Sequence, residues 1–294
     1  MDINAANLTG LAKTYNTLFQ QGLSFTPPVP INFLYRDFPS TTAANFYAWM
    51  EQIPGFREWV GDRLFKNVRG QKFEILNRNW EDSVSMGRNE IEDDQYGVYG
   101  PLVQMMGEAW ELLKYKLALD VLLTNATGFD GKAFFADDHA YGDNAIDNVV
   151  TDALSETAFE AAFTAATAWK FANNELCRTR FTHLLHGPKL HGTAFHIVDA
   201  ETHASGGVQV PNPNYKRVQR VELEDFSGDY DDYWMLVDCS KPIKPIARQI
   251  RREAAPLVDT RPEQVMRTGR FDYMADGRAA AGPTFPHMGY AGIL

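Results

Sequence analysis

The longest helical pattern of the chain lies between Pro101 and Asn125. Apolar residues recur there at steps of three and four, which is the period of a helix that buries one stripe. They are Leu102, Met106, Ala109, Trp110, Leu113, Leu117, Val121 and Leu122. Pro101 suits a first helical turn, and Asn125 suits the residue just past a helix end. The pattern predicts one helix, about 36 Å long, around which a domain is organised.

Weaker periodic patterns predict the other regular elements. Residues 5–21 place apolar side chains at helical spacing, and Ser155 suits the N-cap of a helix on which Phe159, Phe163 and Trp169 share a face. The remaining patterns predict a helix from Lys189 to Asp199 and strands from Phe181 to Leu185, Arg217 to Leu223, Tyr233 to Val237 and Ile243 to Arg251. This mixture of helices and strands indicates an α+β protein.

Other stretches lack a helical period. The prolines between residues 24 and 40 predict an extended arm, residues 41–60 predict a short helix and a turn, and residues 201–215 predict a loop. From Lys72 to Ile91 the period changes to about two, which predicts a two-stranded hairpin that is polar on both faces. A lone hairpin is marginally stable in water, so we expect its apolar residues to pack on another element or another subunit.

Composition narrows the class of protein. The 294 residues allow a large core, contain no run of 18 apolar residues and begin with no basic-then-apolar secretory pattern, so we expect a protein that is made in the cytoplasm and does not bind membranes. The formal net charge of −10 argues against a protein whose main function is to bind nucleic acid, because phosphate binding needs an excess of Lys and Arg. The two cysteines, Cys177 and Cys239, are expected to be buried thiols.

Histidines provide the best candidates for metal ligands. Five of the seven lie between His183 and His203. His183 and His186 would point to opposite faces of a strand, while His191 and His196 would lie about 140° apart on a helix, unlike the pair at positions i and i+4 that one ion can bridge. The spacing therefore favours partly exposed histidines without a metal.

Acidic turns and a basic strip complete the chemical candidates. The carboxylates of Asp93–Asp94, Asp137–Asp138 and Asp229–Asp232 suit turns and helix caps, because no activated nucleophile accompanies them. The phosphate-loop, dinucleotide, serine-hydrolase and zinc-protease motifs are missing from the sequence. The basic residues from Lys241 to Arg252 could contact phosphates, or they could form the charged face of a strand that pairs with acidic neighbours. The acidic overall charge favours the strand face. No cofactor and no metal is expected.

Several segments together resemble one known family. They are NLTGLAKTYNTLFQQ near the N-terminus, FREWVGDR at residues 56–63, EILNRNWEDSV and RNEIEDDQYGVYGPL before the long helix, FDGKAFFADDH after it, and DDYWMLVD and KPIKPIARQIR in the last third. On these segments, most of the chain resembles the Mu-like prophage major head subunit, the gpT family, which has the tailed-phage major capsid fold. RNEIEDDQYG followed by the long helix is the most specific piece.

The resemblance implies an α+β fold with four working parts. They would be an N-terminal arm at residues 1–60, an extended β-hairpin loop at 61–92, a peripheral domain with the spine helix at 93–148 that returning strands at 246–294 complete, and an axial domain at 149–245.

The resemblance also implies a function. It is that of a major capsid protein, not an enzyme, whose copies assemble as hexamers and pentamers into an icosahedral shell around double-stranded DNA. Scaffold, portal and decoration proteins and non-specific contact with the packaged DNA are the implied partners, in the virion capsid and, during assembly, in the host cytoplasm. Contacts between subunits are expected at Arg78, Trp80, Arg88, Asp93, Asp94, Asp231 and Asp232.

Two other functions stay open at this level. The histidines from His183 to His203, with Asp137 to His139, would suit a soluble metal-dependent hydrolase. A minor head or decoration protein would have the same partners without building a closed lattice.

Overall fold

The computed structural model describes residues 3–47, 73–93, 96–205 and 208–294. Its α-helices are α1 Ala5–Gly22, α2 Arg88–Glu92, α3 Tyr96–Leu123, α4 Glu156–Ala168, α5 His191–Ala194 and α6 Pro262–Thr268. Its strands are β1 Tyr35–Pro39, β2 Ala44–Phe46, β3 Glu74–Leu76, β4 Arg78–Gly87, β5 His139–Tyr141, β6 Asn144–Ile146, β7 Val149–Val150, β8 His183–His186, β9 Thr202–Ser205, β10 Val208–Pro211, β11 Gln219–Glu222, β12 Trp234–Val237, β13 Ile246–Val258, β14 Arg270–Pro283 and β15 Gly289–Gly292. No helix of the described residues is both long and apolar enough to cross a membrane.

The predicted spine helix is α3, whose 28 residues span about 42 Å. The helix begins at Tyr96, so the prediction that Pro101 opens it is wrong. Pro101 lies inside the helix, where it has no N–H to donate to the carbonyl four residues before it. The buried face differs from the prediction at two positions, because Leu102 is exposed and Val103 is buried, whereas Met106 is buried as predicted.

Helix α1 crosses α3 at two glycines. An added Cβ at Gly107 would lie 2.9 Å from the Cα of Gly22, and the carbonyl oxygen of Phe19 would be closer still. This approach lets Tyr15 and Phe19 enter a core that α1 shares with α3, β4 and β14. The side chain of Asn4 caps α1 by accepting a hydrogen bond from the Asn7 amide. The helix predicted over residues 5–21 is confirmed.

A four-stranded sheet packs against α3 in the order β1-β13-β14-β4. β1 runs parallel to β13, whereas β14 is antiparallel to both β13 and β4. The predicted hairpin is wrong for the described part of residues 72–91, since β3 pairs with β2 and β4 pairs with β14. Only Asn77 separates β3 from β4, too few residues for a turn. Its buried amide donates to the Ser40 hydroxyl, 2.8 Å away, and to the Thr42 carbonyl, 3.1 Å away.

A second sheet has the order β11-β8-β12-β15-β7. It confirms the strands predicted near residues 181–185, 217–223 and 233–237. The last strand, β15, pairs with β12 and β7 in this sheet. The sequence Gly-Tyr-Ala-Gly gives no strand period, and Gly292 leaves room for the indole of Trp234.

The segments between the sheets differ in part from the predictions. Ser155 caps α4 as predicted, through a hydrogen bond from the Ala158 amide. The helix predicted from Lys189 to Asp199 is present as consecutive short 3₁₀, α and π turns. The loop predicted over residues 201–215 contains the antiparallel strands β9 and β10. Residues 41–60 were predicted to hold a helix and a turn; their described part forms β2, and the rest lies outside the described residues.

Candidate functional site

An exposed apolar stripe runs along the N-terminal half of α3. Val98, Leu102 and Met105 are 70%, 44% and 58% exposed, and Leu112 continues the line with 37% exposure. Steps of four, three and seven residues put these side chains on one face of a helix. Exposed apolar residues that share one helix face make this stripe a candidate for a protein contact. In the sequence these apolar residues also recur at helical spacing. The sequence prediction assigned a single buried stripe to this helix and therefore missed the exposed one.

Trp80 of β4 lies beside this helix between two cavities. Its indole Nε1 donates to the carbonyl of Ala279, 3.1 Å away, and the ring is half-buried. One cavity, of about 270 Å³, has a mostly apolar lining that includes Met106 and Leu113; the other, of about 370 Å³, includes Leu117. Trp80 is thus held by its own chain and borders both cavities.

The charged residues that were predicted as subunit contacts lie in separate places. Arg78 opens β4, an edge strand, and is exposed without an ion pair to any described residue. Arg88 opens α2, where its backbone amide donates to the Gly269 carbonyl, 2.9 Å away. Asp93 ends α2 and is exposed. Asp94 lies outside the described residues.

Asp231 and Asp232 belong to the turn before β12 in the five-stranded sheet. Asp232 forms an ion pair with Lys189, with 2.7 Å between its Oδ2 and the lysine Nζ, and both side chains are about half exposed. Within the described residues the structure does not bring these acids to Arg78, which lies in the other sheet. Any pairing of Arg78 with them must therefore join two copies of the chain.

The clustered histidines make structural contacts. The ring of His183 stacks on Phe33 at a centroid distance of 4.0 Å, and His186 bonds to the Gly187 carbonyl. Burial lowers the pKa of both imidazoles. His191 contacts Glu222 at 2.5 Å. In the described ranges, no three His, Cys, Asp or Glu side chains come together as a metal site would require.

The acids after α3 hold a connector in place. Asp130 lies 2.5 Å from the Nδ1 of the buried His139. Burial raises the pKa of Asp130, but the hydrogen bond and charge of His139 outweigh it, so the pKa is lowered overall. Asp138 pairs with Lys132. These contacts support the interpretation of the carboxylates as turn residues.

The basic strip from Lys241 to Arg252 is engaged inside the chain. Arg248 binds both carboxylate oxygens of Asp37, at 2.6 and 2.9 Å, and lies over the ring of Tyr35. Arg252 pairs with Asp276. The strand-face interpretation of this strip is therefore the one that the structure supports.

Comparison with known proteins gives the family. The sequence model of the Mu-like prophage major head subunit gpT matches residues 8–153 and 213–292. The major head subunit of the Mu-like prophage FluMu from Haemophilus influenzae is 28% identical over 256 residues, which cover 86% of this chain and 62% of that protein. The major capsid protein of Escherichia phage Mu is 25% identical over 295 residues, which cover 99% of this chain and 75% of that protein. The chain thus spans under two thirds of the length of the FluMu relative.

Solved structures agree on the fold. A chain of the bacteriophage JBD30 procapsid superposes with a TM-score of 0.59 at 24% identity, covering 99% of this chain and 76% of that one. A chain of the mature capsid of bacteriophage PhiM1 gives a TM-score of 0.54 at 12% identity, covering 91% and 87%. None of these similarities supports a hydrolase. The protein has the tailed-phage major capsid fold, and it belongs to the Mu-like prophage major head subunit family, gpT, a family of structural proteins and not of enzymes.

Proposed function

We propose that this chain is the major capsid protein of a tailed phage or prophage, and that its copies assemble as hexamers and pentamers into an icosahedral shell around double-stranded DNA. The observation that carries the proposal is the exposed apolar stripe on α3 in a chain of the head-subunit family. Exposed apolar side chains grouped on one helix face are typical of protein contacts, and a second copy of the chain would bury them. Many weak copies of one contact, closed by symmetry, then hold a shell together.

The domain organisation of the subunit is part of this proposal. Residues 1–60 would be the arm, residues 61–92 the extended loop, and residues 93–148 with 246–294 the peripheral domain. The axial domain would be residues 149–245. Scaffold, portal and decoration proteins would be partners during assembly in the host cytoplasm, and contact with packaged DNA would be sparse and independent of sequence, as the net charge of −10 favours.

The stripe can be tested with a matched pair of methionines. Met105 on α3 is 58% exposed and Met266 on α6 is 59% exposed. We expect Met105→Glu to abolish closed particles, because it would bury a carboxylate in an apolar contact. Met266→Glu should leave particle yield within about twofold of the parent, since it lies outside the stripe. Negative-stain microscopy and size-exclusion chromatography measure the outcome, and equal particle yields from the two variants would contradict the role of the stripe.

The charged contacts need a separate test. We propose that Arg78 and Arg88 face Asp93, Asp94, Asp231 or Asp232 of a neighbouring copy, next to Trp80. Arg78→Glu should lower particle yield most at low salt, because screening weakens exposed charge pairs. Assembly that is unchanged at both low and high salt would exclude the pairing. Arg267→Glu, on the exposed face of α6, is the control with the same change of charge.

A further inference from the structure

A basic cleft of about 530 Å³ opens where the chain enters β8 and β11. Its charged lining consists of Arg180, Lys216, Arg217 and Arg220, with Asp199 as the one lining carboxylate among the described residues. An excess of three positive charges thus surrounds one concavity in a chain whose formal net charge is −10. Cations collected in a concave site raise the local concentration of anions.

Two of the four cations are held in place by contacts with other residues of the chain. The guanidinium of Arg217 lies 3.7 Å above the ring of Phe163, and its NH1 donates to the Asn214 side chain, 2.9 Å away. Arg220 is mostly buried; its Nε donates to Asp199, 2.7 Å away, and its NH1 lies 3.5 Å from the Glu222 carboxylate, so this guanidinium offsets the carboxylate that lines the cleft. The donors are therefore positioned before any ligand arrives.

The other two cations stand at the mouth of the cleft. Arg180 and Lys216 are exposed, and neither forms an ion pair with a described residue. Lys216 has a φ of 52°, a left-handed conformation that costs free energy for a residue other than glycine or asparagine. Strained backbone of this kind is concentrated at ligand sites. The hydrogen bond from the Lys216 amide to the Val198 carbonyl, at 2.7 Å, holds this turn.

We infer that the basic cleft binds a multiply charged phosphate anion. Three of its four cations are arginines, whose planar donor forks match phosphate oxygens. The volume falls in the range of small-ligand sites and exceeds what one inorganic phosphate fills. The same chemistry has two sources, a free polyphosphate or nucleotide and the backbone phosphates of DNA, and only the second depends on the proposed shell function.

The test is calorimetric titration of the full chain with inorganic tripolyphosphate, and in parallel with a DNA duplex of about 20 base pairs. The cleft variant is Arg180→Gln with Lys216→Asn, because asparagine tolerates the left-handed backbone. Lys13→Gln with Arg267→Gln removes the same charge from exposed helix faces outside the cleft. Thermal unfolding checks that both variants fold, and microscopy scores particles independently of binding.

We expect saturable tripolyphosphate binding at about one site per chain, weakened about tenfold or more in the cleft variant and less than about twofold in the control. The loss should shrink at high salt because screening weakens every charge contact. If only the duplex binds, and the cleft variant alone weakens it, the backbone phosphate is the source. The inference is overturned if the parent chain binds neither probe saturably, or if both variants lose binding equally. Binding without particles would instead contradict the proposed shell function.

Discussion

The crossing of α1 and α3 should be the most sensitive point of the N-terminal segment. A Cβ at Gly107 would meet the Cα of Gly22 at 2.9 Å and the backbone oxygen of Phe19 at a shorter distance. Ordinary contact begins at 3.4 Å, so α1 must move by at least about 0.5 Å. Because the opposing atoms belong to the backbone, no change of rotamer can relieve the overlap.

The size of the effect follows from two opposing terms. Alanine in a helix interior is favoured over glycine by about 1 kcal/mol. Forcing apart a close-packed contact costs about 1–3 kcal/mol, and the upper end applies because the displaced helix buries Leu8, Tyr15 and Phe19 almost completely. We expect Gly107→Ala to lower the free energy of unfolding by about 2 kcal/mol in net terms.

Gly10→Ala, within α1, is the matched control. Nothing lies within 4 Å of a Cβ at Gly10, so alanine there should stabilise the subunit by about 0.5–1 kcal/mol. Urea unfolding of unassembled subunits measures both changes, and hydrogen exchange of α1 should rise in Gly107→Ala alone. If Gly107→Ala proves as stable as Gly10→Ala, the reasoning about the crossing is refuted.

Two further predictions concern His287 and Asn148, two buried polar groups in or beside the C-terminal segment. His287 is 1% exposed, and burial lowers the pKa of its imidazole well below the usual range, so the unfolded chain binds a proton below about pH 6.5 that the folded chain excludes. The folded state should therefore lose stability as the pH falls below about 6.5, by at most about 1.4 kcal/mol per pH unit, and His287→Phe should remove that part of the loss. If the urea midpoints of the variant and the parent fall equally between pH 7 and pH 5, the prediction is wrong. The buried side chain of Asn148 accepts from the Ala136 amide at 2.8 Å and donates to the Phe134 and Pro286 carbonyls, each 2.9 Å away. Asn148→Ala should cost about 2–4 kcal/mol in urea unfolding, and a loss below about 1 kcal/mol would show that water replaces these bonds.

The sequence predicted the elements that depend on neighbouring residues. It did not predict which faces are buried or which strands pair, because these depend on elements far away in the sequence. The helix at residues 5–21 and the cap at Ser155 depend on neighbouring residues, so the sequence was enough to predict them. Which stripe of α3 is buried depends on α1 and the sheet, and this is why Leu102 was predicted to be buried and is exposed. The predicted hairpin was wrong because β4 pairs with β14, whose partner residues lie 183 to 201 positions further along the chain.

The sequence of β14 contains an alternating strand pattern that the sequence prediction missed. Phe271, Tyr273, Ala275 and Ala279 alternate with more exposed residues, but small side chains and Gly277 weaken the period. Gly277 faces the ring of Trp110, where a Cβ would overlap the indole. For the candidate contacts, the sequence selected exposed charges on an edge strand and in turns. Their partners on a neighbouring copy cannot be read from one chain, so those contacts stay predictions.

Electron microscopy of the purified full chain tests the central claim most directly. A major capsid protein should form closed shells, tubes or rings with fivefold or sixfold symmetry, and Met105→Glu should remove them while Met266→Glu retains them. A parent chain that stays a small, discrete species at every concentration and salt condition would contradict the claim that this protein builds a shell.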